Sequence, residues 1–110
     1  MNISTEDKDG IALVYPEGEL TLNNSNEVSD VINEKIGAGV LKVVLNLKSV
    51  TYLDSSAVGM IVASYSNLQA SGGALRLCEL NESVMEIFKA ASLDSFLAID
   101  ANEGESVGAF

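Results

Sequence analysis

One stretch near the middle of the chain restricts the fold more than any other. Residues 41–47 form a short, mostly apolar run, which is typical of a strand buried on both faces. Asp54-Ser55-Ser56 then begins an apolar-periodic segment that reads as a helix, and Asp and Ser are residue types that accept hydrogen bonds from the free N–H groups of a helix's first turn. The sequence therefore predicts a carboxylate and two hydroxyls where a central strand passes into a helix. In open α/β sheets, ligands and chemistry gather at such turns.

The remaining apolar patterns complete an α/β order of β-β-α-β-α-β-α-β. Strands are predicted at residues 2–7, 11–15, 41–47, 74–78 and 96–99, and helices after the capping residues Asn24, Asp54 and Asn81. Asn24 with Glu27 resembles a capping box. The turn at Lys8-Asp9-Gly10 makes the first two strands an antiparallel hairpin, and the alternating units that follow imply a parallel centre.

We therefore expect a single domain over residues 1–110, with a mixed four- to five-stranded sheet and helices packed on it. Residues 102–110 are expected to be a short helix or a frayed tail. Gly59 lies inside the second predicted helix, where a glycine costs about 1 kcal/mol relative to alanine. We predict that Gly59 permits close packing there, and that Gly72, as part of a helix stop, tolerates alanine better.

Composition excludes several classes of function. The net charge is −10, from 16 acidic and 6 basic residues, which disfavours nucleic acid and anionic membranes and suits a basic or mixed-charge protein partner. Without histidine a Ser-His-Asp mechanism is impossible, and no Walker loop or usual zinc spacing is present. The one cysteine, Cys78, lies in an apolar run and is expected to be a buried strand residue. We expect no enzyme, no cofactor and no metal.

The beginning of the chain lacks the basic and apolar regions of a signal peptide. No apolar run approaches the roughly 20 residues that span a bilayer. These features predict a cytoplasmic protein that does not enter the membrane.

The segment from Leu53 to Gly59 resembles the signature of STAS domains, the anti-sigma factor antagonist family. Gly18-Glu19-Leu20 is similar to the family's Gly-Glu-Leu-Asp opening, and residues 72–75 and 84–88 with Leu93 are similar to its helix-to-strand return and its third helix. The likeness runs over roughly residues 8–101, and its element order agrees with the order read from the residues.

The resemblance implies a switch controlled by phosphorylation. In such proteins the Ser directly after the Asp is phosphorylated by a partner that is both a serine kinase of the GHKL type and an anti-sigma factor. The unphosphorylated form binds this partner and so frees the sigma factor. A PP2C-type phosphatase reverses the modification. On this mapping Ser55 is the phosphoacceptor, Ser56 is the alternative acceptor, and Asp54, Ser55, Ser56 and Thr21 bind the partner. Thr21 stands where the family often has Asp, so a hydroxyl replaces a charge expected near the phosphoacceptor.

Other interpretations stay open at this point. The residues alone allow Asp54-Ser55-Ser56 to be only a helix cap. A STAS-like domain can also be a scaffold or subunit of a larger transporter-associated or sensory complex, without phosphorylation. A small enzyme or nucleotide-binding protein is a third class.

Overall fold

The computed structural model describes all 110 residues, which form seven strands and four helices. In chain order these are β1 (Ile3–Lys8), β2 (Ile11–Pro16), β3 (Gly18–Leu20), α1 (Ser25–Gly37), β4 (Lys42–Asn46), β5 (Val50–Leu53), α2 (Ser55–Ala70), β6 (Ala74–Cys78), α3 (Glu82–Ala90), β7 (Ala98–Asp100) and α4 (Glu103–Gly108).

The main sheet has five strands in the order β1-β2-β4-β6-β7. β1 and β2 are antiparallel, whereas β2, β4, β6 and β7 pair in parallel. The hairpin turn between β1 and β2 uses left-handed backbone at Asp9 and Gly10, with φ of 53° and 80°. The predicted mixed sheet with a parallel centre is confirmed, with β4 as its middle strand.

Both faces of the central strands are covered, which explains why their sequences are continuous apolar runs. Because successive strand residues point to opposite faces, each strand contributes to two clusters. The larger cluster joins the sheet to α1, α2 and α3, through residues such as Val14, Val43, Leu45, Leu77, Ile32, Ile61, Leu68 and Phe88. On the opposite face Ile11, Leu13, Val44 and Cys78 are buried, with Val107 and Phe110 packed against them. Burial raises the pKa of the Cys78 thiol to about 12, as expected for an unreactive strand cysteine.

Two short strands that the sequence analysis did not predict form a separate parallel pair, β3 with β5. The prediction that the central strand passes directly into the second helix is therefore wrong. The central strand ends at Asn46, a turn at Lys48-Ser49 follows, and β5 lies between that turn and α2. β5 is held in place because its ends, Val50 and Leu53, are buried. The start of α2 is thus supported by a two-stranded unit beside the main sheet.

The glycines also differ from the prediction. Gly59 is exposed, and a Cβ built there has no neighbour within 4 Å, so its predicted packing role is wrong. A Cβ at Gly73 would instead lie 2.1 Å from the Leu41 carbonyl oxygen. Leu41 and Gly73 immediately precede β4 and β6, which are adjacent in the sheet, so their backbones approach closely. Gly72 adopts a φ of 83°, which strains any residue with a side chain.

The C-terminal region adds an edge strand to the main sheet and a helix that packs on its second face. The last strand begins at Ala98, later than the predicted residues 96–99, and residues 103–108 form a short helix. Arg76 donates two hydrogen bonds to Asp100, at 2.8 and 3.0 Å, and Ser106 Oγ donates to the same carboxylate at 2.7 Å. These contacts connect β6, β7 and α4. None of the four helices has the length and apolar character needed to cross a membrane.

Candidate functional site

The turn before α2 is organised by Asp54, which is the N-cap of that helix. Its Oδ1 accepts the backbone N–H of Ala57 at 2.9 Å, and its Oδ2 accepts the backbone N–H of Leu22 at 2.9 Å. The Asp54 N–H in turn donates to the Leu20 carbonyl at 3.1 Å. The hydrogen bonds from Ala57 and then Leu22 hold the pKa of the Asp54 carboxyl below its ordinary value. The charged Asp54 carboxylate is therefore hydrogen-bonded to the backbone of two segments, the loop before α1 and the first turn of α2.

Ser55 and Ser56 both belong to the first turn of α2. The two serines differ in accessibility, because the Ser55 side chain is exposed and the Ser56 side chain is half-buried. The hydrogen bonds to Asp54 come from backbone N–H groups, so they leave the Ser55 hydroxyl uncommitted. Ser55 is thus the more accessible hydroxyl at the start of this helix.

Thr21 lies between Leu20, the last residue of β3, and the loop residue Leu22, and both of these residues hydrogen-bond to Asp54. Its side chain is half-buried, and its Oγ1 accepts the N–H of Asn23 at 3.3 Å. The structure therefore brings all four residues proposed from the sequence, Thr21 and Asp54 to Ser56, into one region formed by the loop before α1 and the start of α2.

Asn24 supports this loop instead of forming the predicted capping box. Its Oδ1 accepts the N–H of Thr21 at 2.9 Å, and its Nδ2 donates to the Glu19 carbonyl at 2.8 Å. No side-chain cap joins Asn24 to the first turn of α1. The capping-box prediction is wrong because the asparagine side chain turns back toward the preceding residues, which the sequence pattern does not distinguish.

The two segments that form the site are acidic, and the cation paired with them is the chain's amino terminus, since Met1 N lies 3.4 Å from Glu27 Oε1. Residues 11–34 and 49–75, which contain the loop and α2, include no Lys or Arg. The same segments carry six carboxylates: Glu17, Glu19, Glu27, Asp30, Glu34 and Asp54. A negatively charged group placed here would find no charged partner within these segments, whereas a basic protein surface would be attracted.

The model of the STAS domain family matches residues 2–106. The chain belongs to the STAS domain family. The match confirms the resemblance that the motifs indicated and extends it over nearly the whole sequence.

Relatives of this STAS domain are named as regulators. The anti-sigma F factor antagonist of Paenibacillus polymyxa is 29% identical over 104 residues, which cover 94% of this chain and 89% of that protein. A crystal structure of a candidate anti-sigma factor antagonist from Thermotoga maritima superposes with a TM-score of 0.90 at 26% identity, covering 96% of this chain and 92% of the other.

The anti-sigma factor antagonist SpoIIAA has the same fold. Its unphosphorylated form gives a TM-score of 0.74 at 21% identity, covering 97% of this STAS domain and 96% of that chain. Its phosphorylated form also gives a TM-score of 0.74, at 20% identity, covering 97% of each chain. At these identities the likeness concerns the fold alone.

The predicted helix cap at Asn81 is confirmed, but its bond to β5 and the position of Leu22 were not predicted from the sequence. Asn81 caps α3 by accepting the Val84 N–H at 2.9 Å, and its Nδ2 donates to the Val50 carbonyl at 2.9 Å, which joins α3 to β5. The side chain of Leu22 is 70% exposed beside the Asp54 turn. A lone leucine inside the polar run Thr21-Leu22-Asn23-Asn24 was the signal that could have identified it.

Proposed function

We propose that this STAS domain is an anti-sigma factor antagonist, a regulator without enzymatic activity that binds an anti-sigma factor and so releases a sigma factor for transcription. The observation that carries the proposal is the Asp54 turn, where an exposed Ser55 hydroxyl lies on a helix start whose backbone is fixed by Asp54. The names of the full-length relatives and the acidic character of the site support it. An acidic surface suits a partner that presents basic residues.

The proposed switch is phosphorylation of Ser55, with Ser56 as the alternative acceptor. The partner would be an anti-sigma factor that is also a serine kinase of the GHKL type. In the transfer, Ser55 Oγ bonds to the γ-phosphorus of ATP, the bond from that phosphorus to the β–γ bridging oxygen breaks, ADP leaves, and the hydroxyl proton passes to a base of the kinase. A PP2C-type phosphatase would return the serine by hydrolysis. The chain itself supplies only the acceptor hydroxyl.

The other site residues have distinct parts in this proposal. Asp54 positions the turn through its bonds to Ala57 and Leu22, so it acts by holding Ser55 in place. Ser56 and Thr21 present hydroxyl groups near the acceptor, and the Thr21 hydroxyl adds no charge there. A kinase that recognises this protein therefore has to accept a neutral group at Thr21.

Phosphosite mapping tests the proposal directly. The protein and its Ser55→Ala and Ser56→Ala variants are incubated with ATP and the serine kinase encoded in the same genome, and intact masses and phosphopeptides are measured. We expect one phosphate on the wild type and on Ser56→Ala, and none on Ser55→Ala. Phosphate on Ser56 alone, or incorporation that persists in Ser55→Ala, would overturn the assignment of the acceptor.

Binding tests the function separately from the acceptor. We expect the unphosphorylated protein to bind the anti-sigma factor and to displace its sigma factor, as measured by calorimetry and by size-exclusion chromatography of the mixture. Absence of both binding and phosphorylation would overturn the antagonist function and favour a scaffold or subunit of a larger complex.

A further inference from the structure

Leu22 is the most exposed of the large apolar side chains. It is 70% exposed, compared with 52% for Phe96, 48% for Tyr52 and 38% for Met1. An isolated exposed leucine is ordinary on a protein surface. Leu22 differs from an ordinary exposed leucine because hydrogen bonds fix its backbone and because the surface around it has a distinct charge pattern.

The backbone of Leu22 is fixed on both sides. Its N–H donates to Asp54 Oδ2 at 2.9 Å, and the Leu20 carbonyl before it accepts the Asp54 N–H at 3.1 Å. On the other side, the Asn24 N–H and the Ser25 N–H both donate to the Thr21 carbonyl, at 3.1 and 2.9 Å. A side chain carried on such a backbone loses less conformational freedom on binding than one on a mobile loop.

The helix that Leu22 is tied to presents an uncharged face. Residues 55–70 contain no charged side chain, and Ser55, Gly59 and Ala63 are exposed at i, i+4 and i+8 on one side of α2. These side chains are short, so a partner's backbone can approach α2 closely beside Leu22. Small side chains alone would not define an interface, but here they continue the surface that contains the proposed phosphoacceptor.

Charge around this surface indicates the chemistry of the partner. The segments 11–34 and 49–75 carry no Lys or Arg, and the exposed residues Glu19 and Glu27 lie on either side of Leu22 in the sequence, with Glu27 paired to the Met1 ammonium at 3.4 Å. A surface with an apolar centre and an acidic surround matches a partner surface with an apolar centre and a basic rim.

We propose that Leu22 is the apolar anchor of the partner interface, and that it inserts into an apolar pocket of the anti-sigma factor bordered by Lys and Arg. This inference rests on the proposed function. Buried apolar anchors at the centre of an interface contribute a large share of the binding free energy, whereas charges at the rim mainly set the association rate.

Affinity measurements with the purified anti-sigma factor kinase of the same genome test this role. The variants are Leu22→Ala, Leu22→Met and Asn23→Ala, with Ser55→Asp measured in parallel. Leu22→Ala should weaken binding at least about tenfold, chiefly through faster dissociation. Leu22→Met keeps the apolar volume and should stay within about threefold of the wild type. Asn23→Ala changes the exposed neighbour in the same loop and should bind like the wild type.

Two further measurements make the result decisive. The melting temperature of Leu22→Ala should equal that of the wild type, because its exposed side chain supports little of the fold. The association rate should fall with increasing salt equally for the wild type and Leu22→Ala, since the charged rim is unchanged. If Ser55→Asp weakens binding while Leu22→Ala does not, the anchor is refuted and the antagonist function stands. If the wild type does not bind the anti-sigma factor at all, both are refuted.

Discussion

The carboxylate of Asp54 receives the backbone N–H of Leu22 at 2.9 Å while its other oxygen caps α2 at Ala57. Bonds between a charged acceptor and N–H groups are stronger than neutral ones. One side chain thus joins the loop before α1 to the start of α2, two segments that are distant in the sequence. A substitution at Asp54 should therefore alter both the conformation of the loop and the position of Ser55.

Replacing Asp54 should loosen both segments together. Asp54→Ala removes both hydrogen bonds, whereas Asp54→Asn keeps one good acceptor but loses the charge. The melting temperature should therefore be highest for the wild type, lower for Asp54→Asn and lowest for Asp54→Ala. Amide hydrogen exchange at Leu22 and Ala57 should quicken in Asp54→Ala. Asp30→Ala, at an exposed α1 carboxylate, is the control and should change neither amide. Unchanged exchange at Leu22 in Asp54→Ala would contradict the connection.

Acid should destabilise the domain partly through Asp54 and Asp100. Hydrogen bonds from Ala57 and Leu22 lower the pKa of Asp54, and the hydrogen bond from Arg76 is the main cause of the lowered pKa of Asp100. A carboxyl whose pKa is lower in the folded state stabilises the fold fully above its unfolded value, and this contribution is lost as the pH falls through the folded value. The loss should therefore begin at about pH 4 and grow below it.

Urea unfolding at neutral pH and at decreasing acid pH measures this effect. The difference in unfolding free energy between the wild type and Asp54→Asn should shrink as the pH falls, because protonation removes the same charge from the wild type. Asp100→Asn should behave in the same way. A difference that stays constant across the acid range would show that these carboxylates do not contribute to the acid sensitivity.

Three glycine-to-alanine variants should differ in both the sign and the size of the change in unfolding free energy. Gly59 is exposed inside α2 with open space around it, so Gly59→Ala should stabilise the domain by about 0.5–1 kcal/mol through helix propensity. Gly72→Ala places a side chain on left-handed backbone and should cost about 1–2 kcal/mol. Gly73→Ala forces the Leu41 backbone to move and should cost about 3 kcal/mol or more.

Chemical denaturation of the three variants ranks them on one scale. The main-chain contact at Gly73 would be contradicted if Gly73→Ala unfolded at the same denaturant concentration as Gly72→Ala. A lower stability of Gly59→Ala than of the wild type would restore a packing role for Gly59.

Phosphorylation of Ser55 should abolish partner binding without refolding the domain. The phosphate adds about −1.5 to −2 charges at neutral pH. Within the domain the helix N-terminus attracts it and Asp54 repels it, so the melting temperature should change little. At the apolar centre of the proposed interface, away from the partner's basic rim, the unpaired dianion should cost about 2–5 kcal/mol, which weakens binding by tens to thousands of times.

Comparison of the two forms of the protein checks this switch. Ser55→Asp should weaken binding in part, and Ser55→Ala should retain it. Calorimetry gives the affinities, and heteronuclear NMR spectra reveal the extent of structural change. A global change of the spectrum on phosphorylation, or an unchanged affinity, would refute a switch that works by local charge.

Much of the architecture could be predicted because it depends on patterns that are local in the sequence. The buried runs that became β2, β4 and β6 and the stripe of α3 follow from apolar periodicity, and Asp54 and Asn81 are N-caps as their residue types indicated. β3 and β5 could not be found in this way. Each is at most four residues long, and each exists as a strand only because the other pairs with it across a long sequence separation.

The same distinction applies to the site. The Asp54-Ser55-Ser56 motif was visible in the sequence, and the family resemblance placed Thr21 beside it. The bond from Leu22 to Asp54 and the contact of Gly73 with Leu41 depend on how distant segments meet, so periodicity gave no indication of them. Gly59 was misjudged because helix propensity shows that a glycine is costly but not whether its surroundings are crowded.

If Ser55 is phosphorylated as proposed, the absence of basic residues from segments 11–34 and 49–75 bears on how long the phosphate survives. Phosphate monoesters in water hydrolyse more slowly than almost any other biological bond. The chain has no histidine to transfer a proton, and these segments have no cation to stabilise the departing charge. On this proposal, a modified molecule would persist until a second enzyme acted on it. Under the proposed switch, the amount of modified protein would then equal the phosphorylation accumulated since the phosphatase last acted.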